Sequence, residues 1–150
     1  MAKRLTDTAK WDRQWFREMP VEYKMFWNYL CDRCDHAGIW HKDLGIASFF
    51  IGAQIDAEKA LVYFGDRVKV ISDEKWFVAR FISFQYGKYH QNKSVHKAVM
   101  SRLVASGLRW PSQALAKEMA ADSHKDKDKD IDMAKAKGRA KASVGGSRGA

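Results

Sequence analysis

Every aromatic residue of this chain lies before Pro111. All six tryptophans, eight phenylalanines and five tyrosines fall within the first 110 of its 150 positions, with Trp110 the last. Beyond that point the sequence turns to Ala, Lys, Asp, Gly and Ser, and includes the alternating run Lys125-Asp126-Lys127-Asp128-Lys129-Asp130. A segment so poor in large apolar groups cannot bury enough surface to offset the entropy of ordering it. The expectation is one folded domain over residues 1–110, followed by a low-complexity, largely disordered tail of basic and mixed charge over 111–150. Pro111 and Ser112 are residue types that open helices, so a short helix over 112–121 is allowed within it.

Inside the aromatic-rich part, the hydrophobic period alternates between helical and extended values. A short turn of helix is expected over 12–18, halted ahead of Pro20. Residues 21–34 form the clearest helix: Tyr23, Phe26, Trp27, Leu30, Cys31 and Cys34 recur at spacings that place them on one face. Gly38 permits the turn that ends it. Ile39-Trp40-His41 is too short for a helix and reads as a strand. Asp43 can cap a helix over 44–51 closed by Gly52. Asp56 can cap the next over 57–64, with Ala57, Ala60, Leu61 and Phe64 inward and Gly65 at its end. Val68-Lys69-Val70-Ile71, the polar turn Ser72-Asp73-Glu74-Lys75 and Trp76-Phe77-Val78-Ala79 read as a hairpin. A last helix is expected over 92–106 with Val95, Val99 and Leu103 inward. The predicted class is therefore α+β, mainly helical: a winged helix, with a helix-turn-helix, a β-hairpin wing and an extra C-terminal helix.

The formal net charge is +9. From Lys75 to Arg109 there are seven Lys/Arg and no Asp or Glu, with aromatic residues threaded between them. Positive charge beside apolar rings is the footprint of a surface that meets a polyanion, although a basic balance alone names no ligand. No run approaches the ~18 apolar residues of a membrane span, so no membrane partner is expected. The first residues include Lys3 and Arg4 without an apolar segment behind them, which predicts no secretory signal. Two cysteines fit a reducing cytosol, so the expected location is cytoplasmic.

Few residues invite catalysis. Cys31-x-x-Cys34 followed by His36 and His41 has a spacing that raises zinc. Both cysteines, however, share the helix face of Phe26, Trp27 and Leu30, where a free thiol acts as a small hydrophobe, and no metal is the favoured reading. His90 and His96 have no neighbouring carboxylate to orient them, and His96 is expected to cap or pack at the start of the last helix. Neither a Walker-type loop nor a Ser/His/Asp arrangement is present. The expectation is a protein that is not an enzyme and takes no cofactor.

Three groups of residues carry a resemblance. They are Trp11-Asp12-x-x-Trp15-Phe16, the block Cys34-Asp35-His36-Ala37-Gly38-Ile39-Trp40, and Phe81-x-x-Phe84-Gln85-Tyr86 with His96-x-x-Val99-x-x-x-Leu103. Together they resemble phage-encoded winged-helix replication-initiation or replisome-organiser proteins, related in style to the N-terminal domains of DnaD-like primosomal proteins. The resemblance covers roughly residues 5–108, with edges read only to a few positions. It implies origin binding or primosome assembly in phage or prophage DNA replication, inside a bacterial host. It also implies a helicase or helicase loader as a partner, although the second folded domain usual in such proteins has no counterpart in the low-complexity tail.

DNA contacts are predicted at two places. The third helix follows the turn and is the geometric candidate for reading a groove, offering Gln54, Lys59 and Tyr63. Its chemistry is unpromising, since Asp56, Glu58 and Asp66 offset Lys59 and Arg67, and the wing tip holds Asp73 and Glu74. Lys88, Lys93 and Lys97, at and before the last helix, are therefore predicted to contact phosphates, with Lys59, Arg67, Lys69 and Lys75 secondary. Arg102 is expected to pack its stem and present its head. Trp76, Phe77, Phe81 and Phe84 are expected in the core. Tyr86 and Tyr89 are freer, and an exposed pair can stack on unpaired bases. Duplex DNA is favoured over single strands. A protein-interaction or self-association module of the same fold, and a transcriptional regulator, remain alternatives.

Overall fold

The computed structural model describes residues 2–111; the expected tail and its short helix lie outside the described residues from position 112 onward. The helices are α1 (Gln14–Arg17), α2 (Val21–Arg33), α3 (Leu44–Ile51), α4 (Ala57–Phe64), α5 (Phe81–Tyr86) and α6 (Ser94–Ala105). The strands are β1 (Ile39–His41), β2 (Val68–Ser72) and β3 (Lys75–Val78), and short 3-10 turns occupy Thr8–Asp12 and Gly65–Arg67. The class is α+β, mainly helical.

Local chemistry explains most of the boundaries. The Asp43 carboxylate accepts a hydrogen bond from the Ile46 amide at 2.9 Å, and Asp56 accepts from Lys59 at 2.8 Å. Each satisfies an amide that the first helical turn leaves without a partner. Gly52 ends α3 with φ of 80°, a left-handed conformation that a β-carbon resists. Asp35 builds the turn between α2 and β1 by accepting from the amides of Ala37 and Ile39 at 2.9 and 3.0 Å. Gly38 in that turn has φ of 78°, and a β-carbon there would lie 2.8 Å from that of Phe81. Only glycine fits on both counts.

The strands form one antiparallel sheet in the order β1-β3-β2. β3 is central, with Trp76 opposite Trp40 on one side and Val70 on the other. Phe26 of α2 joins the layers: its ring lies 5.6 Å from Trp40, 5.7 Å from Phe64 and 6.2 Å from Trp76. Rings from α2, β1, α4 and β3 therefore meet in one buried cluster, which holds the two α3–α4 helices and the hairpin around the same centre.

Three expectations are corrected. Val95 is 55% exposed, and His96 takes the inward place beside Val99 and Leu103 at 3%. Both positions suit a helical face, and a cluster of rings decides between them. His96 stacks on Trp110 at 5.0 Å and meets Tyr86 and Tyr89 at about 6 Å. Second, the stretch after β3 is a helix, α5, which buries Phe81 and Ile82 and leaves Phe84 44% exposed, so Phe84 is not a core residue. Third, Tyr86 is not free: it is half-buried, and its hydroxyl donates to the His36 carbonyl at 2.7 Å.

Candidate nucleic-acid interface

The predicted contact residues divide by environment. Gln54, in the α3–α4 turn, and Lys59, on α4, are exposed, as are Lys69 on β2 and Lys88, Lys93 and Lys97 in the segment that runs from α5 into α6. Tyr63, Lys75 and Arg67 are half-buried. Tyr63 rests against the Tyr23 ring at 4.9 Å. Lys75 begins β3 opposite His41 and Ser72. Arg67 lays its guanidinium on the Trp15 ring, 4.2 Å from its centre, with Asp66 3.8 Å away. That geometry spends Arg67 partly on packing, so it offers charge to a ligand more than a mobile head.

Arg102 does not present its head as a free cation. Its Nε lies 2.9 Å from the Asp35 carboxylate, and its terminal nitrogen approaches His41 Nε2 at 3.1 Å. It thereby ties α6 to the α2–β1 turn. By contrast, no carboxylate among the described residues pairs with Lys88, Lys93 or Lys97. Lys93 precedes the first turn of α6, and Lys97 follows one turn later, so both ammonium groups project from one end of that helix.

Lys88 and Arg67 also meet in a feature that the sequence pattern did not reveal. Both line a cleft of about 1110 Å³, to which Arg4, Lys10, Arg13 and Arg80 add positive charge. Two carboxylates, Asp7 and Asp32, share the lining. The walls carry Trp15, Trp27, Phe84, Tyr89 and Trp110. The other predicted contact residues lie outside this lining.

The N-terminal arm builds one side of the cleft. Arg4 donates to the carbonyls of Cys31 and Asp32 at 2.7 and 2.9 Å and to that of Cys34, and its guanidinium lies over the Phe81 ring. A cation at the end of α2 satisfies carbonyls that lack helical partners and complements the helix dipole. Leu5 exchanges two hydrogen bonds with the Gln85 side chain, at 3.0 and 2.7 Å. On the far side, the Trp110 indole donates to the Gly87 carbonyl at 3.1 Å. Residues from both ends of the described chain therefore frame the loop that carries Lys88, Tyr89 and His90.

The cysteines have no metal-binding surroundings: among the described residues, no group of three or more His, Cys, Asp or Glu is placed to hold an ion. Burial pushes the Cys31 thiol up to about 11 and the Cys34 thiol up to about 12, so both stay protonated near neutrality. His96 is buried next to the candidate loop. Its Nδ1 accepts from the His90 amide at 3.0 Å, and burial, with Lys93 and His90 nearby, holds its pKa below the usual histidine value.

No family model, curated protein or solved structure matches this chain. Among the described residues, no helix is long and apolar enough to cross a membrane.

Proposed function

We propose that this protein binds DNA without catalysing a reaction, through a winged-helix domain serving phage or prophage replication initiation in a bacterial cytoplasm. What carries the DNA reading is the set Lys88, Lys93 and Lys97, three exposed ammonium groups without ion pairs among the described residues, in a stretch that contains no acid. Cations of this kind hold phosphates and fix orientation without reading sequence. The winged-helix assignment draws on the two capped helices α3 and α4, the hairpin that follows them, and a sheet in which β1 closes against β3. The replication setting rests on the motif resemblance alone. Origin recognition would fall to Gln54 and Lys59, which are exposed, and primosome contacts to a helicase or its loader.

Salt-titrated binding to duplex DNA tests this. Each phosphate contact removed should flatten the slope of log K against log salt by about 0.9, so K93A/K97A should reduce it by about 1.8. An unchanged slope would remove α6 from the interface.

A second reading, a protein-interaction module, is favoured by one observation. Helix α3 is strongly apolar, yet it exposes Ile46, Phe49 and Phe50, with Phe49 80% accessible. Apolar surface of that kind on a helix-turn-helix suits contact with another protein, including a second copy.

A further inference from the structure

We infer that the cleft between the N-terminal arm, α5 and the α5–α6 loop binds a single-stranded nucleic-acid segment, with bases stacked on its aromatic wall and phosphates held by its cations. The inference rests on the nucleic-acid reading above but assigns a separate site and a different form of the polymer.

Three properties of the cleft select that ligand. The first is charge. Six cationic side chains line it with two carboxylates. Arg13 pairs with Asp7 and Arg67 with Asp66 just outside the lining, which still leaves the cations in excess, and the Cys31 thiol stays protonated near neutrality. Arg4 and Arg13 are anchored, Arg4 by three backbone carbonyls and Arg13 by Asp7 at 3.5 Å, so they present fixed charge at little entropic cost. The second is the wall. Phe84 and Tyr89 are exposed, and the half-buried Trp15, Trp27 and Trp110 also line the cleft, Trp15 with Arg67 over its ring. Aromatic faces beside a basic groove are how single strands are held without sequence readout, since every base has a π-face. The third is size. At about 1110 Å³ the cleft stands near the upper end of the roughly 300–1000 Å³ of pockets for small ligands, room enough for a nucleotide unit of a strand.

A paired duplex cannot use this wall. Its bases are stacked on each other, and only a strand with free bases brings them within reach of Phe84 and Tyr89. The two sites therefore differ in ligand form. Lys93 and Lys97 lie outside the cleft, whereas Phe84 and Lys88 line it.

The test uses the full chain and its own tryptophans, three of which line the cleft. Oligothymidylate and oligouridylate are titrated in while tryptophan fluorescence is followed, with a duplex of equal length and a polyglutamate of equal length run beside them. Saturable quenching by either oligonucleotide is expected, and the stronger of the two names the sugar. F84A should weaken that binding roughly 5- to 150-fold, the loss of about one stacked base. K88E should flatten its salt slope by at least about 0.7. If F84A does not fold, as judged by its melting transition, K88E at the exposed loop still decides. K93A/K97A should leave single-strand affinity within about twofold while changing duplex binding. No quenching by either oligonucleotide, equal quenching by polyglutamate, or wild-type behaviour of both F84A and K88E would overturn the inference. Duplex binding that depends on Lys93 and Lys97 without single-strand binding would sink the cleft alone. Single-strand binding without duplex binding would uphold the cleft and remove the α6 interface.

Discussion

His96 shows how one side chain can make a loop sensitive to acid. Its Nδ1 accepts the His90 amide proton, so the ring must be neutral at that nitrogen for the bond to exist. Protonation would set N–H against N–H, and burial, with Lys93 and His90 beside it, already disfavours the charged form. The folded-state pKa therefore lies below the unfolded value of about 6.5. Above that pH both states are neutral, and the contribution to stability is fully present. As pH falls from there, the unfolded chain binds the proton first and the contribution is lost until the folded group also titrates. Chemical denaturation across pH 5 to 8 should show stability declining on the acid side, with a smaller decline for H96Q. An identical decline in that variant would assign the effect to another group. Because His96 stacks on Trp110 and anchors the loop holding Lys88 and Tyr89, Trp110 emission of the folded protein should change only as pH falls through the depressed His96 pKa, below about 6.5.

At the level of elements, α3 and α4 depend on short-range chemistry. D43A and D56A should each cost about 1 kcal/mol in urea unfolding, while the Asn variants retain most of that stability. A cost near zero would mean that the capping bonds at 2.9 and 2.8 Å are replaced by water without loss. These caps were legible because an Asp and the amide it serves are three residues apart. Helix α5 was not. Phe-Ile-Ser-Phe-Gln-Tyr is rich in residues that favour strands, and a six-residue helix has little period to read. The spacing of Phe81 and Phe84 was its only signal. In α6, Val95 and His96 both satisfied the helical stripe, and contacts with Tyr86, Tyr89 and Trp110 settled which one turns inward.

For the molecule as a whole, the exposed face of α3 is the feature that distinguishes a solitary domain from an associating one. Phe49 meets Phe50, and Arg33 lies over the rings of Phe50 and Tyr29, which joins α2 to the patch. F49S should change unfolding stability by no more than about 0.5 kcal/mol, because the side chain it removes is largely in water. If the chain self-associates through this face, sedimentation should show the wild type shifting to larger species with concentration and F49S remaining the smaller one. Equal behaviour of the two proteins would exclude Phe49 from any such contact.

Composition and period were enough to place α2, β1, α3, α4, the hairpin and α6, because helices, caps and turns are set by residues a few positions apart. They also marked Lys88, Lys93 and Lys97 as exposed cations, since a run of cations without acids has no ion-pairing partner close by in the chain. The cleft was decided only by folding. Arg4 reaches the end of α2 across 27 to 30 residues, and Leu5 bonds Gln85 across 80, separations that carry no periodic signal. The same long-range packing chose His96 over Val95 and withdrew Arg102 to Asp35. Side chains distant in sequence acquire partners only when burial of the shared aromatic core brings their elements together.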